Sequence, residues 1–381
     1  MRIGIDARMM GPRHTGLGRY VEQLVVHLLK QNRDWQDQYV LFLRRENWDY
    51  LAKEHGLSPD KYERILADIP WYTFAEQVHF LRILLAARVD LLHFPHWNVP
   101  LLYSRPFVVT IHDLTMFHYP RPAATTLGPF LYFVKDRAHR LLLQRVVKRA
   151  KVILITSEYT KNDIHESLAV PSRKMDVTYQ APLPVGRRLE NTSIETVLNK
   201  YRLNHPYVLY VGTAYPHKNV SGLLDAWRSF EHKYGSEYQL VLAGRNDAFY
   251  RLLDSKIQDQ PSVCFTGFVT DQELSALYQR AAVYVIPSLY EGFGLPPLEA
   301  MQYGVPVVAS NRSCLPEVLG EAAMYVDPEN PEQLSDALHA VLTDENLRAT
   351  CRAKARLELQ RYSWERLARE TRAVYIKALG S

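Results

Sequence analysis

The sequence predicts an α/β protein built as two doubly wound domains, each a mostly parallel sheet with helices on both faces. Three observations carry that prediction. Short runs rich in β-branched residues alternate with stretches of helical periodicity along the whole chain, the pattern of repeated βαβ units. The length of 381 residues exceeds what one hydrophobic core comfortably holds, so two domains of ordinary size are expected. Between the halves, residues 181–193 (APLPVGRRLENTS) mix proline, glycine and charge as a linker does. The expected domains are residues 1–181 and 182–362, with 363–381 as a closing amphipathic helix.

Taken in order, the strand candidates of the first half are residues 2–7, 38–43, 90–95, 107–113, 151–157 and 175–180. Those of the second half are 208–212, 238–244, 263–268, 283–288, 305–310 and 323–327. Helical periodicity marks residues 20–29, 131–151 and the segment that places Leu223, Leu224, Trp227 and Phe230 on one face. Doubly wound sheets bind ligands beyond the carboxyl ends of their strands, so the ligand site is expected in a cleft between the two domains.

Composition narrows the class. A hydrophobic content of 47% indicates a globular chain, no run approaches the ~20 apolar residues of a membrane helix, and Met1 leads straight into RIGIDA without a signal-peptide pattern. A cytosolic location is expected. Cys264, Cys314 and Cys351 have neither CxxC nor metal-ligand spacing, which fits packing roles in a reducing compartment. The net charge of +5 is mild for this size and gives no argument for nucleic acid. Residues 131–151 are different, with Lys135, Arg137, Arg140, Arg145, Lys148, Arg149 and Lys151 set against the single acid Asp136. Such a helix is either a solvated face or a peripheral contact with anionic lipid at the inner face of the plasma membrane.

The most informative stretch is 283–310, VYVIPSLYEGFGLPPLEAMQYGVPVVAS. A buried strand runs into a loop whose glycines and prolines cannot continue it, and Pro296 and Pro297 suit the start of a helix over 297–303 that Gly304 ends. Glu291 then lies in the loop and Glu299 in the first helical turn, with the backbone N–H groups of Phe293, Gly294 and Leu295 between them. A helix N-terminus attracts phosphate, and flanking carboxylates accept hydroxyls. Together they suit a nucleotide sugar. The form EGFGLPPLEAM, followed by GVPVVAS and LPEV, resembles glycosyltransferase family 4, strongly over 208–318 and more loosely before.

That resemblance implies the GT-B fold, two Rossmann-like domains facing across a cleft, with the last helix crossing back to the first domain. It implies a retaining hexosyltransferase, most closely a mannosyltransferase using GDP-mannose and a glycan or lipid-linked acceptor in cell-surface polysaccharide biosynthesis. Glu291 would hold sugar hydroxyls and Glu299 the ribose, while backbone groups near Val269 would meet the nucleobase. In TGLGRY, the third glycine of a dinucleotide fingerprint is absent, and the resemblance instead makes Gly16 a loop residue presenting N–H to the diphosphate, with Gly18 supplying flexibility. His112 of TIHDL, at a strand end, would face the donor sugar, its ring oriented by Asp113. The loop HFPHWNVP offers His96, Trp97 and Asn98 as acceptor contacts. Lys218, just before a helix, is a cation in a place that asks for an anionic partner. Here the chain departs from the family pattern, since His217 and Thr213 stand where arginines are common, leaving Arg245 as a supplementary cation. No Asp-x-Asp pair is present, so no metal or other cofactor is expected beyond the donor itself. Two alternatives remain, a nucleotide-sugar epimerase of GT-B fold and a non-catalytic nucleotide-sugar-binding subunit.

Overall fold

The computed structural model describes residues 1–120, 129–184 and 191–380, and they form two compact units. The first comprises Met1–Leu114, Phe130–Gln180 and Ser363–Ser381; the second comprises Thr115–Pro129 and Ala181–Tyr362. Of the expected linker, 185–190 lie outside the described residues, and Asn191–Lys200 is a helix of the second unit.

The first sheet contains β1 (Arg2–Asp6), β2 (Gln38–Leu43), β3 (Glu63–Leu66), β4 (Leu91–Phe94), β5 (Phe107–Ile111), β6 (Ile153–Ile155) and β7 (Met175–Val177). Every pair is parallel, in the order β3-β2-β1-β4-β5-β6-β7. The central strands read as unbroken apolar runs because helices cover both faces; β5, FVVTI, is buried at all five positions. β3 was not anticipated, because ERIL carries charge at two of four positions and is largely exposed at the sheet edge. Edge strands are blunted in this way, which also erases their sequence signal.

Helix α1 (Thr15–Trp35) begins five residues before the expected start, so Gly16 and Gly18 belong to its first turn rather than to a preceding loop. A Cβ on Gly18 would stand 2.1 Å from the Gly11 carbonyl oxygen. Close chain approach, not flexibility, therefore demands glycine at position 18. A Cβ added at Gly16 would meet nothing within 4 Å. Helix α2 (Pro129–Arg149) turns Leu143, Val146 and Val147 inward and leaves Leu141 exposed. The closing helix Trp364–Gly380 packs on α1, where Gln31 bonds the Glu365 carbonyl; Arg372 pairs with Asp37, just beyond α1, at 2.7 Å, and Lys377 reaches Asp176 of β7.

The second sheet, also parallel, contains β8 (Tyr207–Val211), β9 (Gln239–Ala243), β10 (Val263–Gly267), β11 (Val283–Ile286), β12 (Val307–Ser310) and β13 (Ala323–Val326), in the order β10-β9-β8-β11-β12-β13. Helix α3 (Val220–Tyr234) buries Leu223, Leu224, Trp227 and Phe230 as its periodicity requires. In both sheets the strand order reverses once, between β1 and β4 and between β8 and β11. Beyond the carboxyl ends of the strands flanking such a reversal, diverging loops open a crevice.

Candidate functional site

In the second unit the loops after β8 and β11 meet through their side chains. Lys218 closes a 3-10 turn, Pro216–Lys218, and its Nζ donates to both carboxylate oxygens of Glu291 at 2.7 Å. Ser288 Oγ donates to Glu291 Oε1 at 2.7 Å, and the Glu291 backbone N–H donates to Ser313 Oγ at 3.0 Å. Glu291 is thus held from three sides and is 8% exposed. The anionic partner that the position of Lys218 asks for is supplied within the protein.

Helix α5 follows this loop, after α4 (Asp271–Arg280), and spans Leu295–Gln302. It starts two residues before the expected Pro297, so Glu299 is its fifth residue and falls in the second turn, not the first. Gly294 caps it at φ +91°, in the left-handed region that glycine adopts without strain, and no side chain bonds the cap. Pro296 and Pro297 bring no N–H, so Gly294 and Leu295 supply the donors at this helix end. Phe293 is buried with its ring against Tyr362 at 5.6 Å. Tyr278 OH, from α4, donates to Glu299 Oε2 at 3.2 Å.

The other second-unit residues sit as follows. Thr213 accepts a hydrogen bond from Tyr210 OH through its carbonyl at 2.7 Å. His217 is 3% exposed and lies between the rings of Tyr215 and Tyr119. Val269 is half-buried between β10 and α4, next to exposed Phe268, over whose ring the Arg245 guanidinium lies at 5.5 Å.

In the first unit the polar residues gather after β1, β4 and β5. Gly16 N–H belongs to the first turn of α1, whose N-terminus has no side-chain cap. His112 Nε2 donates to the Pro95 carbonyl at 3.0 Å, since a carbonyl only accepts, and Nδ1 accepts from Gln180 Nε2 at 3.2 Å. Burial pushes the ring's pKa down, against the opposing effects of the Pro95 carbonyl and the Asp113 charge. The orienting groups are therefore Pro95 and Gln180, and Asp113 acts through its charge. Tyr20 packs edge-on against His112 at 4.6 Å.

Asn98 already has a partner within the protein. It is 5% exposed, and its amide N–H group bonds both oxygens of Glu76 at 2.8 Å. Glu76 also takes Arg8 Nη2 at 2.6 Å, while Arg8 grips Asp6 through Nε and Nη2 at 2.8 Å each. Arg8 and Glu76 are fully buried, and burial of such charges is tolerable only when paired and hydrogen-bonded. Glu76 further accepts the Tyr72 N–H at 2.8 Å, in a turn where Tyr72 adopts φ +60°. That conformation costs a non-glycine residue about 1–3 kcal/mol and concentrates at functional sites. His96 and Trp97 are half-buried beside Tyr72. The spacing Asp6-Ala-Arg8 and the Ser288 three residues before Glu291 were the available sequence signals for these partners. Nothing local pointed to Gln180, Ser313, Tyr72 or Glu76.

Two parallel doubly wound units, with an acid-base pair and a glycine-capped helix at the switch point of the second, define a GT-B glycosyltransferase. Family models match along most of the chain, "Glycosyltransferase Family 4" over residues 14–181 and "Glycosyl transferases group 1" over 194–358. The chain is 32% identical over 290 residues to O-antigen chain mannosyltransferase B of Escherichia coli, spanning 74% of this chain and 73% of that one. It is 30% identical over 356 residues to O-antigen chain mannosyltransferase RfbU of Salmonella typhimurium, spanning 88% and 92% respectively. The fold matches sucrose-phosphate synthase from Thermosynechococcus elongatus with a TM-score of 0.74 at 20% identity, over 100% of this chain and 99% of that one. The chain belongs to glycosyltransferase family 4 and is a hexosyltransferase. These likenesses favour transfer over both the epimerase and the non-catalytic binding subunit.

Proposed function

We propose that this enzyme moves a mannosyl residue, with retention, from GDP-mannose to a hydroxyl of a glycan or lipid-linked acceptor during assembly of a cell-surface polysaccharide. The observation that carries this reading is the Lys218–Glu291 pair beside the glycine-capped N-terminus of α5, at the strand reversal between β8 and β11. Its wider support is the pair of O-antigen mannosyltransferase relatives.

In this reading the diphosphate draws Lys218 away from Glu291 and takes hydrogen bonds from the Gly294 and Leu295 N–H groups. Fixed donors aimed at developing charge are the main catalytic term. Glu291, released from the ammonium, accepts sugar hydroxyls; Glu299 takes the ribose, and backbone near Val269 meets the base. Thr213 lines the same strand end, and buried His217 supports the tyrosine rings beneath it. The acceptor belongs to the first unit, near His96 and Trp97. Lys218 and the helix N–H groups fill the part that a divalent metal plays elsewhere, so turnover is independent of metal.

The test is a thermal-shift screen of GDP-mannose, UDP-glucose and UDP-N-acetylglucosamine, followed by transfer assays with and without EDTA. A ligand that binds only the folded state raises Tm by mass action, so GDP-mannose should give the largest rise, and activity should persist in EDTA. A larger response to a UDP-sugar would reassign the donor. Loss of turnover in EDTA with recovery in Mn²⁺ would overturn the proposed role of Lys218.

A further inference from the structure

We infer that Tyr210 and Tyr250 are positioning residues for the diphosphate of the donor, acting through the backbone of the loop after β8; this rests on the donor reading above. Three successive carbonyls at that strand end each accept a tyrosine hydroxyl: Val211 from Tyr284 at 3.4 Å, Gly212 from Tyr250 at 3.0 Å and Thr213 from Tyr210 at 2.7 Å. All three tyrosines are buried. Burial pushes the pKa of each phenol up, so at neutral pH the rings are uncharged donors.

The carbonyls fix the direction of the N–H groups, because a trans peptide is planar and sets C=O and N–H on opposite sides. Gly212 N–H donates to the Ala243 carbonyl of β9 at 2.9 Å, so the peptide before Gly212 is spent within the sheet and its carbonyl faces Tyr284 of β11. The next peptide is reversed. Its carbonyl, that of Gly212, points past β9 to Tyr250 OH and to Gly244, where a Cβ would stand 2.0 Å from the carbonyl oxygen. The Thr213 N–H therefore points the other way, towards β11 and the loop of Glu291. The Thr213 carbonyl is turned to Tyr210, a member of the core, which turns the Ala214 N–H outward. Neither N–H makes a hydrogen bond among the described residues.

Residues 212–216 (GTAYP) carry no cation, so what this stretch offers a phosphate is its backbone. Hydrogen bonds from backbone N–H groups to an ionised oxygen are among the strong ones, and donors aimed before the ligand arrives act without reorganisation. A phenol that lost its hydroxyl would leave a buried carbonyl without a partner and release the peptide to rotate. Tyr210 and Tyr250 thus act on the diphosphate without touching it. The peptide that Tyr284 holds has its N–H committed to Ala243, which makes Tyr284 the internal comparison.

The experiment measures binding of GDP, GMP and guanosine to the full chain and to three phenylalanine variants, with UDP, UMP and uridine run beside them and Tm recorded for each protein. Tyr210→Phe and Tyr250→Phe should each weaken GDP about fivefold or more, GMP less, and guanosine by no more than about twofold. Tyr284→Phe should lower Tm yet leave GDP binding within about twofold. Gly244→Ala reaches the Gly212 carbonyl without removing a hydroxyl, and it should reproduce the loss that grows with phosphate number. Equal losses for nucleoside and diphosphate would overturn the inference, since they signify general loosening. So would unchanged GDP binding in Tyr210→Phe and Tyr250→Phe, or a loss in Tyr284→Phe as large as theirs. Failure of the donor reading appears separately, in the wild type: a preference for UDP reassigns the base and moves the comparison to the uridine series, whereas binding of neither diphosphate removes the donor reading and this inference together.

Discussion

Lys218 and Glu291 are 73 positions apart in sequence, yet their side chains meet at 2.7 Å. The pair sets the resting charge of the second unit's site, because the ammonium is already neutralised before any diphosphate arrives. A ligand bearing phosphate must compete with Glu291 for Lys218 and tolerate the carboxylate nearby. Glu291→Ala should therefore tighten GDP binding about 3- to 10-fold, a change on the order of 1 kcal/mol, while turnover falls at least about a hundredfold because the sugar loses its acceptor group. Calorimetry with GDP and steady-state kinetics check both halves. Weakened GDP binding with turnover kept at saturating donor would show that the carboxylate serves the nucleotide instead. Ser288 should behave as a positioning residue in the same measurements, since it holds Glu291 Oε1 directly.

At the scale of elements, α2 combines a buried seam with a charged outer face. Leu143, Val146 and Val147 face inward, whereas Arg145 and Lys148 are exposed. Arg140 is paired with Asp136, and Arg149 bonds the carbonyls of Leu101 and Tyr103; the side chain of Lys135 lies outside the described residues. Leu101 and Leu102 are exposed on the loop that Arg149 and Gln77 hold. No helix among the described residues is long and apolar enough to cross a membrane. From the exposed cations of α2 we propose that this face meets anionic lipid peripherally. Each cation at such a surface contributes about 1 kcal/mol, and salt screens the attraction. Co-sedimentation with anionic vesicles should occur at low salt, disappear at high salt, fail with neutral vesicles and drop with Arg145→Glu plus Lys148→Glu. Absence of binding to anionic vesicles at low salt would leave α2 as a solvated helix.

For the whole molecule, fully buried His93 and His96, whose Nδ1 is buried, make stability depend on pH. His93 lies between Tyr375 OH and Thr110 Oγ1, at 2.7 and 2.8 Å, and burial pushes its pKa down to about 3. Burial pushes His96 down to about 3 as well, with the charge of nearby His112 acting in the same direction. An unfolded histidine titrates near ~6.5. Between these values the unfolded chain binds more protons than the folded one, so stability is complete above ~6.5 and is lost progressively as pH falls towards ~3. By pH 5 each of these two costs about 2 kcal/mol, a large share of a domain's usual 5–15 kcal/mol. Tm should decline steeply from pH 7.5 to 5, and His93→Gln should flatten the decline. A Tm independent of pH over that range, or an identical slope in the variant, would count against neutral burial.

The sequence by itself determined the class of fold, the position of nearly every strand along the chain and the loops that bear the site. Strand alternation, the glycine and proline punctuation of 283–310 and the periodicity of α3 act over a few residues, so they can be read without knowing what lies opposite. Helix starts were misplaced where a cap or a close backbone approach decides them, as at Gly18 and Gly294, and the charged edge strand β3 gave no signal. Only the tertiary structure decided the partners: Lys218 with Glu291, His112 with Pro95 and Gln180, and Asn98 with Glu76 rather than with solvent. Such pairs join residues from 17 to 73 positions apart, and whether a polar side chain is offered to a ligand or spent on a neighbour depends on what the packed sheets bring beside it.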